Sequence, residues 1–297
     1  MPNSLSQKQT GVICAFGAFI LWGIFPIYFK FVDYIAPLEM LCHRIVWSVF
    51  LLLMLLCFSR GFNEIKEIFK NPRTVILLFV TGSLIASNWL VYIYAVANNM
   101  IAEASLGYFI NPLVNIILGI LFLREKTTPL EKTAIGIAFF AIMLEIIKLG
   151  SVPYIALFLA LSFGVYGLIR KMMRVSSFGG LFVETSLVAP LSLGYLVYLG
   201  FSHRLSFSFD STVWLVMLSG PVTVIPLLLF TAAASRIRLG TIGFIQYLSP
   251  TLTFSLAILV YNEPLSMSRI VTFALIWLSL IFVIADSFMQ KQKRKTG

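Results

Sequence analysis

The chain has 297 residues, of which 59% are hydrophobic and 11% are charged, and its net charge is +10. Soluble globular domains have about 25% charged residues, so this composition excludes a soluble catalytic domain and indicates a single membrane domain. The basic residues are scattered over many short segments, which argues against a nucleic-acid partner because such proteins cluster their basic residues on one face.

Apolar stretches of membrane-spanning length follow one another along nearly the whole chain. A transmembrane helix needs about 20 mostly apolar residues, and the hydropathy pattern predicts an all-α polytopic membrane protein of about ten such helices. The predicted helices cover residues 11–29, 39–59, 74–97, 101–123, 130–148, 151–169, 178–200, 211–234, 238–261 and 268–289. The first stretch is too long for a signal peptide and lacks a small-residue cleavage pattern, so we expect it to remain as an uncleaved helix.

The lysines and arginines divide unequally between the two sets of loops. With ten spans both termini lie on one side, and 17 of the 22 basic residues fall in the segments on that side, against four in the loops on the other. Basic loops stay in the cytoplasm, so we expect both termini to be cytoplasmic. The basic tail at 290–297 either attracts anionic membrane lipids or fixes the orientation of the last helix.

The two halves of the chain align at a shift of 138 residues. Pro112 then falls on Pro250, and Glu125 falls on Glu263. The same register places a polar trio of the fourth span on one of the ninth span, namely Tyr108, Asn111 and Asn115 on Gln246, Ser249 and Thr253. The spacing of three and then four residues puts each trio on one helical face. This predicts a repeat, with one copy at about 11–148 and the other at about 151–289.

Each predicted repeat contains five spans, an odd number, so the second copy enters the membrane from the opposite side to the first. The sequence therefore predicts two inverted five-helix repeats. Inverted repeats recur in secondary transporters, where two related halves exchange conformations around a site near the midplane. The pattern favours a transporter of a small-molecule solute.

Several strings of residues also resemble a known family. They are WGIFPIYFK (22–30), HRIVWS (43–48), SNWLVYIYAV (87–96), EASLGYFINPLVNIILG (103–119), SFGVYGLIRK (162–171), FTAAA (230–234) and GFIQYLSPTL (243–252). The chain resembles the RarD-type permeases of the EamA family, in the drug/metabolite transporter superfamily, from about residue 11 to residue 289. This resemblance implies a ten-helix permease with a central cavity in a bacterial inner membrane.

Polar and aromatic side chains inside the spans mark the expected solute cavity, because polar groups in the hydrocarbon layer face a partner helix or water. We expect the cavity between the third, fourth, eighth and ninth spans. The candidate residues are Asn88, Trp89, Tyr92, Tyr108, Asn111, Asn115, Gln246, Tyr247, Ser249 and Thr253. Trp89 lies deep enough to stack on a planar or cationic solute. The alternative is that the amides and hydroxyls only join helices.

Four prolines fall inside predicted spans, at Pro26, Pro112, Pro226 and Pro250. A proline removes a backbone donor and disturbs the turn before it, so carbonyl groups become free to bind water, solute or a neighbouring helix. We expect helix kinks at these positions.

Two opposite charges, Arg44 and Glu184, lie inside the second and seventh spans. Each is about 9 Å from the end at which its helix enters, and the two ends face opposite sides, so in a core of about 30 Å their depths differ by about 12 Å. We therefore expect separate partners, with His43 and Arg44 in an outer gate and Glu184 in an inner one. The expected partners are Glu103 or Glu39 outside and Arg236 or Arg238 inside. Static ion pairs without a gating role are the alternative.

Glu125 and Glu263 fall in the short connections after the fourth and ninth spans. A carboxylate favours the positive N-terminal end of a helix. We expect each of them to cap the helix that follows it.

Signals for catalysis, metals and cofactors are missing from the sequence. Cys14, Cys42 and Cys57 lie inside predicted spans without CxxC spacing, so neither a zinc site nor a disulfide framework is expected. The chain contains no GxSG, GxGD or HExxH motif and no GK dipeptide for a phosphate loop. We expect no enzyme, no ATP-driven pump and no cofactor.

The leading prediction is a secondary-active exporter of a metabolite, amino acid or drug-like solute, because the expected cavity is aromatic and rich in amides. A coupling proton or ion is one option for driving transport, and His43 is a weak candidate for relaying protons. One alternative is the uptake or exchange of a nutrient or cofactor such as S-adenosylmethionine. Another, from a different class, is a channel or a lipid-handling protein.

Overall fold

The computed structural model describes residues 6–59, 61–98, 100–206, 213–260 and 267–296, which form helices and connections without a β-strand. The helices are α1 (Gln7–Phe31), α2 (Pro37–Ser59), α3 (Phe62–Lys70), α4 (Pro72–Ala97), α5 (Ile101–Leu123), α6 (Pro129–Leu149), α7 (Tyr154–Met172), α8 (Ser177–Phe201), α9 (Val213–Met217), α10 (Ser219–Ala234), α11 (Leu239–Gln246), α12 (Leu248–Leu259) and α13 (Met267–Thr296). The prediction of an all-α fold is confirmed.

Eight segments of the described chain are long and apolar enough to cross a membrane. One of them combines α9 and α10, which are interrupted at Leu218. The other two predicted crossings are less uniform, since α6 carries four charged residues in its 21 and the ninth crossing is divided into α11 and α12 at Tyr247. The fold therefore agrees with the predicted count of about ten.

The first and last helices are longer than predicted, and one short helix is additional. α1 begins before residue 11 because Ser6 and Gln9 form a reciprocal capping box, in which the Gln9 amide donates to Ser6 Oγ and the Ser6 amide donates to Gln9 Oε1. The short helix α3 was not predicted. α13 continues to Thr296, so most of the basic tail at 290–297 extends the last helix.

Large apolar side chains cover the outside of the bundle. Phe58 is 81% exposed, Phe201 is 84% exposed, and many Leu, Ile and Phe side chains are exposed along the same helices. Apolar surface on this scale marks contact with a partner or a membrane. The distribution is that of a protein whose surrounding solvent is lipid.

The helices pair as two related halves. Equivalent helices of the two predicted repeats pack on each other in the pairs α2 with α8, α5 with α11, and α6 with α13. The other large contacts between helices are also equivalent in the two halves. α1 packs on α10 and α12, and its equivalent α7 packs on α4 and α5. Likewise, α2 packs on α10, and its equivalent α8 packs on α4. This is the contact pattern of a pseudo-two-fold arrangement.

The directions of α5 and α11 agree with an inverted repeat. A Cβ on Gly119, near the end of α5, would lie 3.3 Å from the Gly240 nitrogen at the start of α11. Asn111, earlier in α5, contacts Gln246 at the end of α11. The two equivalent helices therefore run antiparallel.

Two equivalent contacts, on opposite faces of the bundle, help to join the two halves. On the face that carries the chain termini, here called the terminal face, the Ser176 amide before α8 donates to Glu64 of α3 at 3.1 Å. On the opposite face the Ser206 amide, after α8, donates to Glu39 of α2 at 2.9 Å. Each contact joins the connection after the second helix of one repeat to the beginning of the second helix of the other.

Small residues allow the helices to approach closely. Gly107 of α5 lies against Ala156 of α7, where a Cβ would be 3.2 Å from the Ala156 carbonyl oxygen. Ala138 and Ala141 of α6 are fully buried in a cluster with Ile276 of α13. Close approach through Gly and Ala is the usual basis of helix packing in lipid, where tails and side chains are equally apolar.

Candidate functional site

A buried network of three amides joins α5 to α11. The Asn115 side chain donates to Gln246 Oε1 at 2.6 Å and to Asn111 Oδ1 at 3.2 Å. Gln246 donates to the same Asn111 oxygen at 2.9 Å. These three predicted cavity residues are therefore brought together, but they bond to one another and act as the helix-joining alternative proposes.

Two further predicted cavity residues also bond to neighbouring helices. Asn88 of α4 donates to the Leu159 carbonyl and to Ser162 Oγ of α7, both at 2.8 Å. Thr253 of α12 donates to the Gly23 carbonyl of α1 at 3.2 Å. Their polar groups stabilise helix contacts in this conformation.

Tyr247 and Ser249 of the ninth crossing face different neighbouring helices. Tyr247 is fully buried in the cluster that contains Ala138 and Ile276, so its ring packs toward α6 and α13. The backbone oxygen of Ser249 lies 3.2 Å from the position of a Cβ on Gly23. Neither residue is placed beside the amide network by a described contact.

The four predicted kink positions lie in different settings. Pro26, Pro112 and Pro226 fall inside α1, α5 and α10 without ending these helices. Pro250 follows the interruption at Tyr247 by three residues. Of these four prolines, Pro250 is therefore the one that lies beside an interruption of its helix.

Arg44 of α2 lies among aromatic and hydroxyl side chains. Its guanidinium carbon is 4.3 Å from the centroid of the Trp89 ring and 5.3 Å from that of Phe29. Its Nε–H donates to Thr223 Oγ1 of α10 at 3.0 Å. Its two terminal nitrogens have no hydrogen-bond acceptor within the described part of the chain, and Arg44 as a whole is half-buried.

Three tyrosines complete this group. Arg44 interacts electrostatically with the phenols of Tyr28, Tyr92 and Tyr108. Tyr28 is fixed by donating to the Leu215 carbonyl at 2.9 Å. The rings of Tyr92 and Tyr108 meet edge to face at 5.8 Å, and their side chains remain 37% and 48% exposed. We name Arg44, Phe29, Trp89, Thr223 and these three tyrosines the Arg44 site.

The Arg44 site lies well inside the bundle. Arg44 and Tyr108 are each seven residues from the opposite-face ends of α2 and α5, and Trp89 is eight residues from that end of α4. At 1.5 Å per residue these side chains are anchored about 10 to 12 Å below the opposite face. In a hydrocarbon core of about 30 Å, this depth is about a third of the way across the membrane from the opposite face.

A small cavity continues from the Arg44 site toward the terminal face. It lies between α2, α4, α8 and α10, and Trp89 and Thr223 line it together with Ser48, Thr185 and Glu184. Its volume is about 20 Å³, which accommodates about one water molecule. This small cavity lies between α2, α4, α8 and α10, whereas the solute cavity was predicted between the third, fourth, eighth and ninth crossings.

Glu184 of α8 belongs to a buried ion pair at the far end of this cavity. Its Oε2 lies 3.8 Å from Arg170 Nε of α7, and both side chains are almost completely enclosed. Thr81 of α4 donates to the same oxygen at 3.2 Å. Tyr166 of α7 interacts electrostatically with the carboxylate. The cluster joins α4, α7 and α8 below the Arg44 site.

The predicted partners of Glu184 are therefore wrong. The sequence assigned Arg170 to a loop because it ended the sixth span at residue 169, but α7 continues to Met172 and brings Arg170 into the bundle. Arg238 instead pairs with Glu125 and Glu131, and Arg236 donates to Gln7 at 3.1 Å. The prediction that Arg44 and Glu184 have separate partners agrees with the structure.

The predicted partners of Arg44 are also wrong. His43 and Glu39 lie 3.8 Å apart on α2, and Glu39 accepts the Ser206 amide. Within the described part of the chain neither Glu39 nor Glu103 is paired with Arg44, which contacts Thr223 and the aromatic rings. His43 and Arg44 face different neighbours because adjacent residues of a helix point in different directions.

Glu125 closes a contact between the two halves at the terminal face. Its carboxylate accepts the backbone amides of Leu239 and Gly240 at 2.7 and 2.9 Å, at the N-terminus of α11. Arg238 lies 3.8 Å from Glu125 and also pairs with Glu131 at 3.1 Å. An anion at a helix N-terminus meets both unpaired amides and the positive end of the helix dipole.

Glu125 caps a helix N-terminus, as predicted, but the helix is not the one that follows it in the chain. The helix after Glu125 is α6, and it is capped by Thr128 and Glu131 in a capping box. Glu125 reaches the other repeat instead. Glu263, for which the same role was predicted, lies outside the described residues.

Some members of these sites were missed by the sequence argument. Thr223 is a hydroxyl inside the eighth crossing, so the criterion that selected Asn88 would also have selected it. Phe29 and Thr81 give no comparable signal, because an aromatic ring or a single threonine is common in transmembrane helices. Their roles depend on which helices meet.

Comparison with known proteins places the chain among membrane transporters. Residues 9–147 match the model of the EamA-like transporter family. The chain is 42% identical to "Protein RarD" from Salmonella typhi and 41% identical to "Protein RarD" from Escherichia coli, each over 97% of this chain and 99% of the relative. It is 40% identical to "Uncharacterized transporter YojE" from Bacillus subtilis, over 98% and 99%. A solved crystal structure shares the fold, with a TM-score of 0.70 at 17% identity, over 93% of this chain and 96% of that one.

Proposed function

The chain belongs to the EamA-like transporter family as a RarD-type permease, and from this we propose a secondary-active carrier that moves a small organic solute by alternating access. It is a multi-pass membrane transporter of the drug/metabolite superfamily, and its relatives are named as transporters and not as enzymes. The proposal concerns the mechanism, the kind of solute and the direction of transport.

The observation that carries the proposal is the asymmetric contact between α5 and the broken ninth crossing. The terminal-side half of α5 packs tightly on α11, from Asn111 and Gln246 to Glu125 at the N-terminus of α11. Near the other end of α5, Tyr108 remains 48% exposed beside Arg44. A pseudo-two-fold bundle closed on one side has a second conformation, in which the halves exchange roles and the other side closes.

We assign the terminal face to the cytoplasm on the distribution of basic residues. The described conformation is then closed toward the cytoplasm, and its Arg44 site is nearer the outside. We propose export of a metabolite, amino acid or drug-like compound as the physiological direction. No hydrolysis of ATP is involved, so an existing gradient or an exchanged solute drives the cycle.

Transport by a carrier is expected to saturate and to be stimulated by solute on the far side. Proteoliposomes loaded with millimolar unlabelled amino acids or aromatic carboxylic acids should accumulate the same labelled compound by counterflow, whereas empty vesicles should not. Protein-free vesicles provide the background. Flux that rises linearly with concentration and ignores the internal solute would point to a channel and reject the carrier mechanism.

Replacing Glu125 by Gln is expected to open the terminal face. The variant keeps an acceptor oxygen but loses the charge that strengthens two amide contacts and attracts Arg238, and a charge-assisted hydrogen bond contributes about 1.5–3 kcal/mol. In a background with Cys14, Cys42 and Cys57 replaced by Ala, a Leu239→Cys reporter should be labelled by a polar maleimide roughly tenfold faster.

The matched control for this prediction is Glu67→Gln. Glu67 lies on the same face but is largely exposed and pairs with Lys70, so the labelling rate of the reporter should not change. Equal labelling in E125Q and in the parent protein would show that the Glu125 contact does not hold this face closed.

A further inference from the structure

The charge on Arg44 is not matched by a carboxylate in the described structure, unlike the charges on Arg170 and Arg238. Arg170 lies beside Glu184, and Arg238 lies beside Glu125 and Glu131. To the residues that the structure describes, Arg44 makes one side-chain hydrogen bond, with a neutral threonine, although a guanidinium has five N–H donors. A charge inside the hydrocarbon layer is costly, so a site that retains one without a counter-ion among the described residues needs an explanation.

The geometry around Arg44 leaves its charged end available. Thr223 engages Nε, and the Trp89 and Phe29 rings approach the guanidinium carbon, so the side chain is held in place. The two terminal nitrogens have no acceptor among the described residues, and the side chain is half-buried rather than fully enclosed. A planar fork fixed in this way matches a carboxylate, which can accept two parallel N–H bonds.

The neighbouring groups favour a single negative charge. The electrostatic neighbours of Arg44 are the phenols of Tyr28, Tyr92 and Tyr108, which can donate hydrogen bonds but carry no positive charge. No second lysine or arginine of the described chain accompanies them. One guanidinium balances a monoanion, whereas a phosphate dianion would keep an excess charge inside the membrane.

The wall beside Arg44 favours an apolar or planar body on the solute. Trp89 and the Tyr92–Tyr108 ring pair offer aromatic surface next to the charge. Ile45, Ile85 and other apolar residues line the small cavity beyond Trp89. A cationic solute such as a sulfonium would meet the like charge of Arg44, so this site opposes that class.

We propose that Arg44 binds the carboxylate of a small organic monoanion whose planar or apolar part packs against Trp89, Tyr92 and Tyr108. This inference rests on the proposed function, since Arg44 would be a transport site only if the protein is a carrier. Binding itself can be measured without transport, so the two ideas can fail separately.

The test is a binding comparison on the purified full-length protein in detergent, with carboxylates and their neutral amides as matched probes. The pairs are benzoate and benzamide, indole-3-acetate and indole-3-acetamide, and N-acetylphenylalanine and its amide, with phenyl phosphate and tryptamine as the dianionic and cationic arms. Thermal stabilisation as a function of concentration reports affinity, because a ligand of the native state raises its stability.

We expect at least one carboxylate to bind tenfold or more tightly than its amide, and both phenyl phosphate and tryptamine to bind more weakly than that carboxylate. Arg44→Gln should remove the preference for the acid, and Arg44→Lys should retain part of it because the charge remains without the fork. Arg204→Gln, which changes an exposed arginine on the opposite face, should bind as the parent does.

Equal binding of every acid and its amide by the parent protein would overturn the proposal without any variant being needed. A preference that survives in R44Q, or a tighter phosphate, would overturn it as well. Acid-selective, Arg44-dependent binding without counterflow would retain the binding site and reject the carrier mechanism. Counterflow of a neutral or cationic solute that is unaffected by R44Q would retain the carrier and reject this site.

Discussion

Replacing Arg170 by Met is expected to lower the free energy of unfolding by about 3–5 kcal/mol, the usual cost of removing one partner of a buried ion pair. Glu184 is 1% exposed, and Arg170 is its cationic partner in the described structure. Met fills a similar volume with an apolar chain, so the loss reports chiefly the unpaired carboxylate. Equilibrium unfolding in a detergent that preserves the native protein measures it.

Two variants separate the ion pair from the side-chain replacement itself. The double variant R170M/E184M should recover most of the lost stability, because apolar replacement of a whole buried pair is often neutral or stabilising. Arg174→Met makes the same substitution at an exposed arginine just beyond α7 and should change little. A double variant as unstable as R170M would show that the pair is not the source of the effect.

Replacing Gly243 by Ala is expected to force α5 and α11 apart. The added Cβ would lie 2.5 Å from the Pro112 carbonyl oxygen and 2.8 Å from Ile116 Cγ1, whereas ordinary contacts begin at 3.4 Å. Because Pro112 presents rigid backbone, the helices must shift, and overpacking of this kind costs about 1–3 kcal/mol. Unfolding free energy and counterflow rate should both fall, since the same contact supports the amide network.

Gly136→Ala is the matched control for this substitution. Gly136 lies in α6, where an added Cβ would meet no atom within 4 Å. Alanine in a helix is intrinsically favoured over glycine by up to about 1 kcal/mol, so this variant should be neutral or slightly stabilised. If G243A behaved like G136A, the close approach of α5 and α11 would not be important for stability.

The fold was largely predictable because a membrane imposes simple rules on a sequence. Helix length follows from the thickness of the hydrocarbon layer, and the 138-residue register relates helices that the structure pairs across the two halves. Arg44 and Glu184 also have separate partners, as the opposite entry sides of their helices predicted. The length and direction of a helix can be predicted without knowing which other helices it contacts.

The candidate site was less predictable because the choice of partners depends on how helices rotate. Asn111, Asn115 and Gln246 were selected as polar residues in apolar spans, and a solute or another amide would satisfy each of them equally well. The structure shows that they bond to one another. An error of three residues in the end of α7 was enough to hide Arg170 from Glu184.

The position of Arg44 also has an electrical consequence. A fixed positive charge at this depth lies within the transmembrane field, and moving one charge through the full field changes its energy by about 2.3 kcal/mol per 100 mV. When access changes sides around Arg44, the empty protein presents this charge to the field, whereas a bound monoanion cancels it. The return of the empty protein is then the voltage-dependent step, and the loaded step is electroneutral.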